Sequence, residues 1–143
     1  MKVVVDHIKG SRRGQRQELD AGQRISIGRH PKCEVAFDAH RDLDASSRHA
    51  ELRRDGERYT LADVGSSNGT FMAGNRVSEV AVEVGEPIVV EFGGGGPQLR
   101  IWIGTDDMRP DPFRAGGQAT WRWMAVGALV AVLVALAALW MTR

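Results

Sequence analysis

Apolar and polar residues alternate over short stretches throughout the first 103 residues. Alternation is the pattern of a β-strand with one buried and one exposed face. No stretch of three helical turns has a single apolar face. The alternating stretches are residues 3–8, 24–29, 35–38, 49–54, 58–63, 70–74, 80–84, 87–92 and 99–103.

Turn-forming residues separate these stretches at short intervals. Glycine, serine, asparagine and aspartate occur at residues 10–11, 54–56, 65–69, 74–75 and 93–96. These residue types adopt the backbone conformations of tight turns at little cost. Many short strands joined by such turns are typical of two packed antiparallel sheets. We therefore expect residues 1–103 to form an all-β sandwich.

The composition changes after residue 103. Residues 104–120 combine glycine and proline with mixed charge and have almost no apolar run, so we predict a flexible linker. The 20 residues from Trp123 to Thr142 carry no charge. As a helix they would be about 30 Å long, the thickness of the hydrocarbon core of a bilayer. Residues 121–143 are therefore predicted to be a single transmembrane helix with its flanks.

The charges beside this segment predict its orientation. Arg109, Arg114 and Arg122 precede it, only Arg143 follows it, and positive flanks stay on the cytoplasmic side. The first apolar run, residues 3–5, is shorter than the core of a signal peptide. Only three of the 19 basic residues are lysine, a bias typical of GC-rich bacterial genomes. We expect a single-pass protein of the bacterial inner membrane with a cytoplasmic N-terminal domain.

Small residues recur every four positions in the apolar segment, at Gly127, Ala131 and Ala135. Such a stripe lets two membrane helices approach closely, which would give a homodimer. In a segment so rich in alanine, chance produces the same spacing more often. The stripe leaves both interpretations open.

The charge of the N-terminal domain is balanced. Residues 1–103 hold 15 basic and 15 acidic residues. Without a concentrated basic surface, general attraction to nucleic acid is not expected. Cys33 is the only cysteine, and His7, His30 and His40, which we expect at the surface or in loops, share no metal-ligand spacing.

No catalytic signature accompanies these residues. The chain has no nucleophile elbow and no nucleotide-binding fingerprint, and Gly93 to Gly96 lack the Lys-Ser or Lys-Thr of a phosphate-binding P-loop. We expect a protein that is not an enzyme and needs no metal or cofactor.

Three short segments form a pattern that none of them forms alone. They are IGR at residues 27–29, ASSRHAEL at 45–52 and YTLADVGSSNGTF at 59–71. Arg29 and Ser46 are 17 positions apart, and Ser46 and Asn68 are 22 apart. In this order and spacing, residues 1–103 resemble the forkhead-associated (FHA) domain, a β-sandwich that binds phosphothreonine.

The resemblance implies a role for each matching residue. A phosphate monoester carries up to two negative charges and three strong acceptor oxygens, so it needs a guanidinium and several hydroxyl or amide donors. The expected phosphopeptide-binding residues are Arg29 as the main phosphate ligand, Ser46 and Ser67 as hydroxyl donors, Ser47 and Arg48 beside them, and Asn68 as the ligand of the peptide backbone.

Four further residues would support the site: Gly28, His49, Gly69 and Thr70. In the family the histidine is a scaffold residue whose ring ties the binding loops together, so we expect the same of His49 rather than catalysis or metal binding. One position departs from the family. Where a second asparagine often follows the NGT segment, this chain has Ala73, which would remove an amide that braces the neighbouring loop.

Together these features predict a membrane-anchored adaptor in signalling by serine/threonine kinases. Its partner would be a phosphothreonine-containing protein, either a kinase or a kinase substrate. The alternative is a structural subunit of a secretion-type membrane assembly that packs against its neighbours without phosphate. Retention of Arg29, Ser46, Ser67 and Asn68 favours the adaptor.

Overall fold

The computed structural model describes residues 1–114, which fold into eleven β-strands and one 3-10 turn. The strands are β1 Lys2–Lys9, β2 Arg16–Asp20, β3 Arg24–Gly28, β4 Val35–Ala36, β5 Ala50–Asp55, β6 Arg58–Asp63, β7 Thr70–Met72, β8 Asn75–Val77, β9 Glu79–Ala81, β10 Ile88–Phe92 and β11 Gln98–Gly104, followed by the 3-10 turn Asp106–Met108.

The strands form two sheets. One has six strands in the order β2-β1-β11-β10-β7-β8, and the other has five in the order β4-β3-β5-β6-β9. Every pair is antiparallel except β3 with β4. The prediction of an all-β sandwich is confirmed.

The hydrophobic core lies between the two sheets. Alternation along β1 directs Val3 and Val5 into this core, and Ile101 and Ile103 of β11 join them from the neighbouring strand. The opposite sheet contributes Ile25, Ile27, Leu52, Tyr59 and Leu61. The rest of the cluster comes mainly from Val35, Phe37, Val82, Val90, Phe92 and Leu99.

His7 belongs to this interior, so the expectation of a surface or loop position for it is wrong. It is 1% exposed, because it continues the inward set of Val3 and Val5 along β1. Its Nε2 lies 3.3 Å from Oε1 of Gln17, and its ring meets Phe37 edge-on at 6.1 Å between centroids. Burial lowers its pKa, so the ring packs as a neutral group.

Two strands have no counterpart among the predicted stretches. β2 has a single apolar residue, Leu19, and β8 has only three residues, so neither shows clear alternation. Both lie at an edge of the six-stranded sheet, where pairing on one side suffices. In the five-stranded sheet, β9 covers Glu79–Ala81, whereas the predicted stretch was residues 80–84.

The chain folds back across the outer face of the six-stranded sheet after β11. Asp6, only 3% exposed, accepts hydrogen bonds from Arg16 and Arg100, and both arginines also donate to the carbonyl of Asp111. Burial raises the pKa of the Asp6 carboxyl, but the two guanidinium groups outweigh this and lower it overall. The predicted linker therefore begins with a stretch that packs on the domain.

The remaining C-terminal predictions fall outside the described residues. They are the end of the linker, the transmembrane segment at residues 121–143 and its small-residue stripe. Among residues 1–114, no helix has the length and apolar character needed to cross a membrane.

Candidate phosphopeptide-binding site

Three loops meet at one end of the sandwich. They are residues 29–34 between β3 and β4, 37–49 between β4 and β5, and 64–69 between β6 and β7. The backbone N–H of Arg29 donates to the carbonyl of Ser46 at 3.0 Å, which joins the first loop to the second. This end of the fold contains every site residue predicted from the sequence.

Gly28 allows the first two loops to approach each other. A Cβ built on Gly28 would overlap the carbonyl of Ser47. The N–H of His30 donates to that same carbonyl at 3.0 Å. Only a residue without a side chain permits this contact, which explains a glycine directly before Arg29.

The guanidinium of Arg29 is held in place by the second loop. Its Nε donates to the carbonyl of Ala45 at 2.5 Å, and its Nη1 donates to the carbonyl of Ala39 at 2.8 Å. A guanidinium has five N–H donors, so three are left for a ligand. The half-buried group is thus a positive charge with a fixed position and unused donors.

Ser46 links the second loop to the third. Its hydroxyl oxygen accepts a hydrogen bond from the backbone N–H of Ser67, with 3.0 Å between the two atoms. The hydroxyl hydrogen is still free to be donated, since only the lone pairs are used. Ser46 is half-buried and Ser67 is exposed, so both hydroxyls are accessible to a ligand.

His49 ties the same two loops together from below. Its Nδ1 accepts from the backbone N–H of Ser46 at 2.9 Å, so its Nε2 carries the hydrogen and donates to the carbonyl of Gly69 at 3.0 Å. The ring is completely buried and packs edge-on against Phe92. Burial lowers the pKa of His49, which keeps the ring neutral in this arrangement.

Asp63 organises the third loop, a role that the sequence alone did not indicate. Its carboxylate accepts from the N–H groups of Gly65 and Ser66 and from the hydroxyls of Ser66 and Thr70. Burial raises the pKa of Asp63, but these hydrogen bonds outweigh it and lower the pKa to about 2. An aspartate two positions before a Gly-Ser-Ser turn is the sequence signal that would have indicated this role.

Gly69 closes the third loop with a backbone that favours glycine. Its φ is +84°, and a Cβ there would lie 2.9 Å from Nε of Arg76. The carbonyl of Gly69 also accepts from the N–H of Gly93 at 2.8 Å. The guanidinium of Arg76 therefore packs directly against the turn that presents Ser67 and Asn68.

Asp42 supports the second loop, a role that the sequence did not indicate. It is 7% exposed and accepts from the backbone N–H and hydroxyl of Ser11 and from the N–H of Asp38. Burial raises the pKa of this carboxyl, but the three donors lower it overall. Asp42 thus fastens the loop that holds Arg29 to the turn after β1.

The other predicted ligands lie at the rim. The Nδ2 of Asn68 donates to the carbonyl of Asp44 at 3.0 Å, which leaves one N–H and the side-chain oxygen for a ligand. Ser47 and Arg48 are exposed on the second loop. Contacts bring Arg29, Ser46 and Ser67 together, whereas no side-chain hydrogen bond within residues 1–114 draws Ser47 or Arg48 to them.

Ala73, at a position where the family often has asparagine, has an unusual backbone conformation. Ala73 has a φ of +50°, and among residues 1–114 it is the only residue other than glycine with a positive φ. Asparagine adopts this left-handed conformation more readily than alanine does. The nearby amide of Asn75 reaches the carbonyl of Ala73 at 3.4 Å, so it partly braces the turn.

Comparison with known proteins agrees with this geometry. Residues 25–93 match the family model of the FHA domain. This region is an FHA domain. The match begins in β3 and ends just after β10, so it includes all three loops of the site.

Curated bacterial proteins contain sequences similar to this FHA domain. The chain is 42% identical over 64 residues to the oxoglutarate dehydrogenase inhibitor of Corynebacterium jeikeium, covering 45% of this chain and 42% of the relative. It is 34% identical over 82 residues to the glycogen accumulation regulator GarA of Mycolicibacterium smegmatis, covering 57% and 49%. The chain thus spans less than half the length of these relatives.

A solved FHA structure matches most of the described fold. That structure comes from work on phosphothreonine-dependent FHA domain interactions. It shares 27% identity with this chain, covers 72% of it and 97% of the solved chain, and has a TM-score of 0.57.

Proposed function

We propose that this protein is a membrane-anchored adaptor whose FHA domain binds phosphothreonine on a partner protein in serine/threonine kinase signalling. One observation carries the proposal. Ser46 accepts hydrogen bonds from the backbone N–H groups of both Arg29 and Ser67 at one end of the sandwich, and the side chains of all three residues retain unused donors. A guanidinium with two neighbouring hydroxyls can bind a phosphate monoester through charge-assisted hydrogen bonds.

The supporting contacts favour recognition by a preformed site. Arg29 is held by two carbonyls, and the serine loops are held by His49 and Asp63. A ligand that meets fixed donors loses less entropy in ordering them. Each charge-assisted hydrogen bond to phosphate is worth roughly 1.5 to 3 kcal/mol, so loss of two such bonds would weaken binding at least about 100-fold.

Binding rather than catalysis is the role that the relatives support. Their names describe an inhibitor and a regulator. A kinase must phosphorylate the threonine that this domain binds, and phosphorylation then switches the interaction on. The phosphorylated partner is a kinase or one of its substrates.

The proposal of a membrane anchor is supported by the sequence of residues 121–143. An uncharged stretch of 20 residues flanked by tryptophan and arginine is typical of a single membrane-spanning helix. The adaptor would then hold its partner at the inner face of the bacterial inner membrane. Carbonate extraction of bacterial membranes tests this, because an anchored chain stays in the pellet and the chain truncated after Arg114 does not.

Calorimetry with the full chain in mild detergent tests phosphothreonine recognition. The ligand is the peptide that binds best in an array of phosphothreonine peptides, compared with its unphosphorylated copy. Arg29→Ala should remove binding. Arg58→Ala is the control, because it also removes an arginine side chain but at the β5–β6 turn, at the opposite end of the strand from Asp63.

Equal binding of both peptides, or unchanged binding by Arg29→Ala, would refute the proposal. Partner recruitment in cells separates the adaptor from a structural subunit. A subunit that packs without phosphate would retain its partner in both Arg29→Ala and Ser46→Ala. The adaptor would lose its partner in both variants.

A further inference from the structure

A second hollow lies beside the phosphothreonine loops, on the outer side of β3 and β5. Its volume is about 170 Å³. Apolar residues form part of its lining, including Ile27, Cys33, Ala50 and Val64. The charged residues that line it are Arg24, Lys32, Arg48 and Glu51.

The charges of this hollow are unbalanced towards positive. Glu51 is engaged by Arg53 at 3.1 Å and by Arg24 at 3.5 Å. Lys32 and Arg48 make no ion pair within residues 1–114, and both are exposed.

The other polar groups near the hollow form no ion pair with these two cations. The carboxylate of Glu34, which lies outside the lining, accepts from the N–H and the hydroxyl of Ser26, and within residues 1–114 no ion pair joins it to Lys32 or Arg48. The Nδ1 of His30 accepts from the backbone N–H of Lys32 at 3.1 Å, so the side chain of Lys32 is not involved. The rim therefore presents two cations without anionic partners above a partly apolar floor.

The hollow is close enough to the phosphate site for one peptide to occupy both. Arg48 follows Ser46 by two residues, and His30 directly follows Arg29. An extended chain advances roughly 3.3 Å per residue, so a peptide bound at Ser46 reaches the hollow within a few residues.

We propose that this hollow is a subsite for a second anionic group on the bound peptide, either a carboxylate side chain or a second phosphate, close in sequence to the phosphothreonine. The proposal rests on the proposed function. Lys32 is not among the expected phosphopeptide-binding residues, and the subsite gives it a role in selecting the partner. Arg48 would contact the same anion from the other side.

The test compares phosphothreonine peptides that differ by one charge. A neutral peptide is the reference, and single glutamates, with matched glutamines, are moved through the four positions on each side of the phosphothreonine. At low salt, glutamate at the favoured position should bind about 2- to 5-fold more tightly than glutamine. A phosphoserine at that position distinguishes a preference for phosphate from one for carboxylate.

Lys32→Gln should reduce this preference, because only Arg48 is left to contact the anion, and should leave affinity for the neutral phosphothreonine peptide unchanged. Arg58→Gln, which removes a distant exposed cation, should keep the full preference. The same affinity for glutamate and glutamine at every position would overturn the subsite, as would a preference that is undiminished in Lys32→Gln. Failure of every phosphothreonine peptide to bind would instead refute the proposed function, so the two failures are distinguishable.

Discussion

The backbone N–H of Ser67 donates to the hydroxyl oxygen of Ser46 across 3.0 Å, although the two residues are 21 positions apart in the chain. The contact uses the side chain of Ser46 but only the backbone of Ser67. It positions two hydroxyls side by side on loops that the sandwich brings to the same end. The two serines therefore have unequal structural roles even if both bind phosphate.

The first prediction follows from this asymmetry. Ser46→Ala removes a loop–loop hydrogen bond and should lower the free energy of unfolding by about 1 kcal/mol. Ser67→Ala keeps the link and should change stability by less than about 0.5 kcal/mol. Chemical denaturation of the full chain measures both, and equal losses of stability would contradict the unequal roles.

The second prediction concerns acid stability. The pKa of Asp63 is about 2 in the folded protein and 3.8 ordinarily, so the unfolded state binds a proton more readily. Its contribution of about 2 kcal/mol is complete above pH 4 to 5 and is lost as the pH falls towards 2.

Asp63→Asn isolates this contribution from those of Asp6 and Asp42, whose pKa values are also lowered. The variant should be less stable at neutral pH. Its stability should fall by about 2 kcal/mol less than that of the parent between pH 5 and pH 2. Denaturation series at fixed pH values measure the difference, and parallel curves would show that Asp63 has no such role.

The third prediction concerns Ala73, whose φ is +50°. Ala73→Asn should raise the free energy of unfolding by about 0.5 to 1 kcal/mol, because asparagine tolerates the left-handed region better. Ala73→Val is the opposite control, since a branched side chain is disfavoured there. Thermal unfolding measures both, and a less stable asparagine variant would contradict the argument.

The fourth prediction concerns Tyr59 in the core. Its hydroxyl oxygen is buried and has no hydrogen-bond partner within the described residues. Tyr59→Phe should therefore keep or raise stability, by up to about 1 kcal/mol, because it removes an unsatisfied polar group. Tyr59→Leu should lower it, because the ring packs in the core and under Arg54. A phenylalanine variant clearly less stable than the parent would indicate a partner for the hydroxyl.

Much of the fold was predictable because alternation records which face of a strand is buried. The stretch around Val3 and Val5 predicts β1, and the same alternation would have indicated the buried position of His7. β2 was not predictable in this way, because the edge strand Arg16–Asp20 buries little and has a polar sequence. Its pairing with β1 is a property of the assembled sheet.

The candidate site, like the fold, was predictable only in part. The resemblance to the FHA family pointed to Arg29, Ser46 and Asn68, and the structure places them at one end of the sandwich. Their roles as ligands stay predictions for the peptide experiments. The supporting role of Asp42 was not predictable, because its three donors come from Ser11 and Asp38, and only the folded chain brings Ser11 beside it.

The sequence by itself determined the all-β class, the three loop segments and the uncharged C-terminal stretch, because strand alternation, turn residues and hydrophobicity are local properties. Only the tertiary structure decided which donors of Arg29 are left for a ligand, that the His49 ring joins two loops, and that Lys32 and Arg48 share a hollow. Those relationships join residues distant in the chain, and they exist only when the two sheets pack together.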